Sequence, residues 1–239
     1  CLAAVLAAAA AVTGCQKKEA QVIIYSNADD EAVEAMKHAL DGNGYGGKYL
    51  FQTFGTSELG GKLLAEGTDI EADLVTMSSS TAWLLMQAIV SEYGEDGAKE
   101  VLSGIYKNAG PHIESSGSAP LKKVRAGEVA VGFGLRHQAV ADKAEGLPVD
   151  YVDPTEGNFS LTESAAVIDK GDKTNKLAME MAECIIKNGR QELLTTYPLP
   201  IYEGETSNSK NQSAYPRVFP EKLTVDLLKK HQELSESCK

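Results

Sequence analysis

Between residues 22 and 77 the chain alternates short apolar runs with amphipathic segments, and this alternation narrows the fold more than any other feature of the sequence. Val22-Ile23-Ile24-Tyr25 is a continuous apolar run, the pattern of a strand covered on both faces in a parallel sheet. Asp29-Asp30-Glu31 then opens a helix with Val33, Met36 and Leu40 on one side, and acids in a first turn suit the helix dipole. A glycine-rich turn over Gly42 to Gly47 leads to a second strand, Tyr49 to Phe54. Gly55-Thr56-Ser57-Glu58 starts a second helix carrying Leu59, Leu63 and Leu64, and Asp73 to Met77 reads as a third strand. Strand-loop-helix repetition of this kind predicts a doubly wound α/β layer.

The pattern resumes beyond Ser78-Ser79-Ser80. Helices are expected over Thr81 to Val90, which holds the single Trp83, and over Gly97 to Lys107. A short helix follows Ser115-Ser116-Gly117-Ser118. Val129, Val131 and Phe133 alternate along Glu128 to Gly134 and predict a strand. A helix is expected from Arg136 to Lys143. Val149 to Val152 and Ser164 to Ile168 read as strands on either side of the loop Asp153 to Asn158. A helix spans Thr174 to Lys187, the stretch Tyr197 to Pro220 reads as loop, and Leu223 to Leu234 as a last helix.

Composition sets outer limits. With 239 residues, 43% hydrophobic, the chain can bury a core as one large domain or two small lobes. A net charge of −11 without a basic stripe argues against nucleic acid as a partner, but a site can be locally positive in an acidic protein. Leu2 to Val12 is an apolar run too short to cross a bilayer and matches the hydrophobic part of a secretory signal. Val12-Thr13-Gly14-Cys15 after it resembles the bacterial lipobox, which implies lipidation of Cys15 and a membrane anchor. No Met or basic segment precedes the run, so the chain reads as truncated at its start. Export would place Cys184 and Cys238 where disulfides persist; a bridge and two separate thiols both remain open, since sequence supplies no distance.

Three loops share a design that could carry chemistry. Ser26-Asn27, Gly55-Thr56-Ser57 and Ser115-Ser116-Gly117-Ser118 each precede a helix. Free N–H groups at a helix start, with added hydroxyls, form an anion site, and ligands of open α/β sheets bind at the carboxyl ends of strands. The same residue types are also ordinary helix caps. Arg136-His137 follows Gly134. The guanidinium could clamp a carboxylate or phosphate bidentately, and the imidazole could donate a hydrogen bond; the alternative is a solvated Arg and a capped His. His38, His112 and His231 show no metal-ligand spacing, and Lys122, Lys123 and Arg125 read as a solvated face. The sequence contains no G-x-S-x-G, Walker A, H-E-x-x-H or C-x-x-C motif. Gly42-Asn43-Gly44-Tyr45-Gly46-Gly47 matches G-x-G-x-x-G but sits between a helix and a strand, the reverse of a dinucleotide site, and reads as a turn.

Taken in order, the lipobox, the Gly55-Thr56-Ser57-Glu58 loop, Ser116-Gly117-Ser118-Ala119-Pro120 before a helix, the segment Gly127 to Gly132 and Glu156-Gly157-Asn158 before a strand resemble extracellular solute-binding proteins of ABC importers. The branch is the one with ferric-ion, 2-aminoethylphosphonate and sugar-phosphate binders. The resemblance implies two α/β lobes of periplasmic-binding-protein type II joined by a hinge. Residues 16–77 would form part of the first lobe and 78–152 the second. Residues 153–205 would return to the first lobe, and 206–239 form a final loop and helix. It further implies a ligand between the lobes, held by Ser26, Asn27, Thr56, Ser57 and Ser78 from one side and Ser115, Ser116, Ser118, Arg136 and His137 from the other, with Glu156 at the return crossing. Family members carry a long segment where this chain has only Ser78-Ser79-Ser80, so the first lobe is expected to be incomplete.

The function expected is capture of a small anionic solute, a phosphonate or phosphate ester, by a monomeric, non-enzymatic protein without a cofactor or metal that hands it to an ABC permease. Ferric ion is the alternative solute, although none of the nine Tyr is adjacent to another. The alternative of another class is a secreted serine hydrolase using Ser78, Ser116 or Ser118 with His137.

Overall fold

A computed structural model describes residues 20–78, 81–160, 162–206, 209–218 and 224–239. Cys15 and the apolar run before it lie outside these residues.

The expected alternation forms. Strand β1 (Val22–Ser26) leads through helix α1 (Asp30–Gly42) to β2 (Tyr49–Thr53), then through α2 (Thr56–Glu66) to β3 (Leu74–Ser78). The chain later passes through α3 (Thr81–Ala109), α4 (Ala119–Arg125) and α5 (Arg136–Ala144). It then forms β4 (Asn158–Phe159), β5 (Glu163–Val167), α6 (Lys176–Asn188), α7 (Arg190–Thr196), β6 (Pro216–Arg217) and α8 (Val225–Glu236). Four strands make one sheet in the order β2-β1-β3-β5. The first three are parallel and β5 runs antiparallel to β3, with Ser78 opposite Glu163. The carboxyl ends of β1, β2 and β3 and the start of β5 therefore lie along one edge of the sheet.

Helices cover both faces. On one face Val33, Met36 and Leu40 of α1 and Met181, Cys184 and Ile185 of α6 pack over Val22, Ile24 and Leu74. On the other, Leu59 of α2 joins Tyr25, Ile70, Ala72 and Val75. Helix α6 starts on a side-chain cap, Asn175 accepting from the Leu177 amide. At the turn from α6 to α7 a Cβ on Gly189 would stand 2.8 Å from the Ile185 carbonyl and 3.2 Å from Ala39, so glycine lets this corner press against α1.

Residues 81–152 differ from expectation. The sequence predicts strands at Glu128–Gly134 and Val149–Val152, but neither segment pairs in a ladder, and the first bends at Glu128 and Ala130. A strand exists only against a partner; here α4 and α5 flank the first segment, and Val131 stays 86% exposed and Val152 90% exposed. Among the described residues, 81–152 form a helical unit of α3, α4 and α5. Its helices over 81–90 and 97–107 merge into α3, broken at Gly94 with φ +68°, a conformation that favours glycine. A separate cluster forms where Met86, Ile89, Ala98 and Leu102 of α3 meet Leu234 of α8 and Cys238. Among the described residues the one remaining ladder is a two-residue parallel pairing of β4 with β6.

The bridge weighed for Cys184 and Cys238 is absent. Both thiols are free and buried, Cys184 under α1 with its thiol toward the Ala39 carbonyl and Cys238 in the cluster of α3 and α8. Each sulfur packs into a different cluster. No described helix is long and apolar enough to cross a membrane.

Candidate functional site

The edge where β1 to β3 end and β5 begins gathers most of the polar residues singled out in the sequence. Asn27 binds three elements together there. Its Nδ2 donates to Thr56 Oγ1 at 2.9 Å and to the Ser78 carbonyl at 3.4 Å, and its Oδ1 accepts from the Ser78 amide at 3.0 Å. Ser26 lies beneath and is fully buried. Its hydroxyl accepts from Thr76 Oγ1 and from the Ala28 amide, so it shapes the edge from inside. Thr56 and Ser57 form the first turn of α2; Ser57 is exposed. In that turn the first N–H groups have no partner within the helix.

The helical unit meets this edge through α4 and α5. Gln138 Nε2 donates to Asp29 Oδ2 at 3.0 Å, and Ser118 lies beside the same carboxyl. Tyr197, at the end of α7, accepts from the Asp29 amide at 3.2 Å. The His137 ring stands edge-on to Tyr197, their centroids 5.4 Å apart. Glu163, first residue of β5, lies beside Ser78. A continuous line of polar groups thus runs from Thr56 through Asn27, Ser78 and Glu163 to Asp29, Tyr197 and His137.

The electrostatics follow from burial. Desolvation, opposed by a hydrogen bond from the Ser78 hydroxyl and aided by the Asp29 charge, raises the Glu163 carboxyl to about 7. Glu163 Oε2 is buried and without a hydrogen-bond partner. Burial also raises the Asp29 carboxyl, with the Glu31 charge adding to it, and raises the Tyr197 phenol. Burial lowers His137 to about 4, so its imidazole is neutral at physiological pH.

Other expected residues lie elsewhere or serve the scaffold. Arg136 does not face the cleft as a free guanidinium. It grips Asp153 with two bonds of 2.7 and 3.2 Å, donates to the Lys210 carbonyl at 2.9 Å and stacks over Tyr151. Ser116 accepts from the Ala119 amide in a local turn. Ser115 is exposed, and so is Glu156, which accepts only from its neighbour Thr155. Among the described residues the recorded partner of the His137 ring is Tyr197. Sequence reasoning missed Asp29, Glu163 and Tyr197. Asp29 reads as one acid among three at a helix start, Glu163 as a charge ahead of a strand, and Tyr197 as the first residue of a loop.

The architecture is that of the periplasmic binding proteins. Three solved structures share it over 92% of this chain. Iron-bound HitA from Pseudomonas aeruginosa has a TM-score of 0.66 at 14% identity, over 99% of its own chain. The periplasmic binding protein P5PA has a TM-score of 0.69 at 14% identity, over 98% of its chain. AfuA from Actinobacillus pleuropneumoniae, with fructose-6-phosphate bound, has a TM-score of 0.60 at 16% identity, over 97% of its chain. No family model matches the sequence. An uncharacterized protein of Haemophilus influenzae is 30% identical over 80 residues, which is 34% of this chain and 23% of that protein, so the match spans under a quarter of the curated relative.

Proposed function

We propose that this protein is an extracytoplasmic solute-binding component of an ABC importer, tethered through Cys15, that captures a small phosphonate or phosphate ester where α4 and α5 meet the edge of the four-stranded sheet. The observation that carries this reading is the line of polar groups from Thr56 to His137. It lies at the carboxyl ends of parallel strands and is shared between the sheet and the helical unit, the place where open α/β folds bind ligands. The fold it shares with three periplasmic binding proteins supports it. The anion is received by the unpaired N–H groups of the first turn of α2 with the Thr56, Ser57 and Ser78 hydroxyls. Arg136 is committed to Asp153 and holds the return segment in place.

Calorimetry with methylphosphonate and with a sugar phosphate tests this. Wild type is expected to bind at least one of them, and Ser57→Asp, which puts a carboxylate at the mouth of the anion site, is expected to lose at least tenfold in affinity. Equal affinity in that variant removes the start of α2 from the site. Ferric ion is the second reading, favoured by the likeness to iron-bound HitA. Among the described residues no three His, Cys, Asp or Glu are grouped to hold a metal.

A further inference from the structure

Asn27 decides which way the Thr56 hydroxyl bonds. Its backbone is anchored first, the amide donating to the Thr76 carbonyl at 3.2 Å. Its side chain then meets both backbone groups of Ser78. The Ser78 amide can only donate, so the atom it reaches at 3.0 Å is the oxygen, Oδ1. That fixes the other end of the carboxamide as Nδ2, which donates to the Ser78 carbonyl at 3.4 Å and to Thr56 Oγ1 at 2.9 Å. A carboxamide nitrogen is a donor alone, so Thr56 Oγ1 accepts. A hydroxyl that accepts in this way still has its own proton to give. Among the described residues the partner of the Thr56 side chain is Asn27. Thr56 is half-buried beside the exposed Ser57, in the first turn of α2.

We infer that Asn27 is a positioning residue rather than a solute contact, and that it reserves the Thr56 proton for an acceptor oxygen of the solute. The inference rests on the anion reading of the site. Both Nδ2 protons of Asn27 are engaged within the protein, so the amide has no donor left for a solute. What it supplies is the combination of an oxygen toward Ser78 and a nitrogen toward Thr56. An aspartate of the same shape would keep the first contact and reverse the second. Its remaining oxygen accepts, so Thr56 would turn its proton inward and face the solute with lone pairs alone. An anion's acceptor oxygen gains nothing from such a group.

Two probes of matched shape and charge isolate this effect. At about pH 5.5, below the second ionisation of a phosphoryl group near 6, methylphosphonate is largely a monoanion that keeps one P–OH. Methanesulfonate is a monoanion of the same outline with acceptor oxygens only. A carboxylate that accepts two hydrogen bonds is ionised at that pH, so an aspartate at position 27 repels both probes alike. The sense of the Thr56 hydroxyl acts on them differently. A P–OH can donate to a Thr56 lone pair, and a sulfonate cannot.

The experiment is calorimetry on the whole chain with both probes at about pH 5.5. Asn27→Asp is expected to move the ratio of affinities toward methylphosphonate by roughly threefold or more, the effect of one hydrogen bond. Thr56→Val removes the hydroxyl. In the double variant the ratio is expected to stand where Thr56→Val alone puts it. A ratio that Asn27→Asp leaves unmoved, or that moves as far in the double variant, overturns the proposal. If Asn27→Asp fails to fold, Thr56→Val and Thr56→Ser decide. Methanesulfonate affinity is expected to fall roughly threefold or more in the first and to hold in the second; equal affinity in the two overturns the proposal. NMR of the free protein gives a readout that needs no solute. The Asn27 Nδ2 protons are expected to exchange slowly in wild type and faster in Thr56→Val, and unchanged exchange there overturns the proposal too. Failure of wild type to bind either anion overturns the anion reading and this inference with it. Binding by wild type with an unmoved ratio overturns this inference alone.

Discussion

At the scale of single residues, Glu163 and His137 pull the pH dependence of stability in opposite directions. Glu163 is raised from its ordinary 4.5 to about 7. Between those values the folded protein binds more protons than the unfolded one, so the stability tied to Glu163 is complete below pH 4.5 and lost as pH rises through 7, on the order of 3 kcal/mol. His137 is lowered from 6.5 to about 4, so its contribution is present above pH 6.5 and lost as pH falls through 4. The two largely cancel between pH 4.5 and 6.5. Glu163→Gln removes one of them. Urea unfolding should show this variant gaining on wild type by roughly 2–3 kcal/mol between pH 5 and pH 8; a gain independent of pH would show that Glu163 titrates normally. Residues of this kind were the least legible in the sequence. Asn27, Thr56 and Ser78 announce themselves by type and by position before helices or at strand ends. Glu163 and Asp29 acquire their character only when β5 lands beside β3 and α5 lands on α1, contacts between residues 85 and 109 positions apart in the chain.

Among the elements, legibility tracks how locally each one is determined. Strands β1, β2 and β3 fall within one residue of their expected positions because each apolar run is fitted to a sheet built from its immediate neighbours. The segment Glu128–Gly134 has equally good alternation and fails, because alternation specifies a strand only where another strand can pair with it. Arg136 shows the same limit in a side chain. A cation at a helix start after a glycine reads as a ligand clamp, and the structure gives it to Asp153, 12% exposed, on the segment leading back to the sheet. Removing one member of a largely buried, two-bond pair leaves the other unpaired. Arg136→Ala and Asp153→Ala are each expected to destabilise by roughly 2–3 kcal/mol. The double variant should cost less than their sum, while methylphosphonate affinity stays within twofold of wild type. A tenfold loss of affinity at unchanged stability would put Arg136 back in the site.

For the whole molecule, the two buried thiols belong to different cores, and peptide mapping after alkylation without reductant should recover Cys184 and Cys238 on separate peptides. A linked pair would require the two clusters to be differently arranged. The division also explains what the sheet register implies. Strand β3 ends at Ser78 directly opposite Glu163, where β5 begins, and the two strands are antiparallel neighbours. Both cores of the sheet layer draw their buried residues from outside the stretch 79–162. Topologically, β3 and β5 are the arms of a β-hairpin, and the entire helical unit from α3 to the return segment is its loop. Such a loop costs little more to close than one half as long, since the entropy grows only with the logarithm of length. The sheet layer carries the unit as a guest, which α8 and the pairing of β4 with β6 hold from beyond β5. Replacing residues 79–162 with a two-residue Asn-Gly turn, the connection that suits a tight hairpin, should leave the four-stranded sheet and its two covered faces able to fold alone. That miniature would have no cleft, because Ser118, His137 and Gln138, which meet the edge from α4 and α5, would have left with the loop.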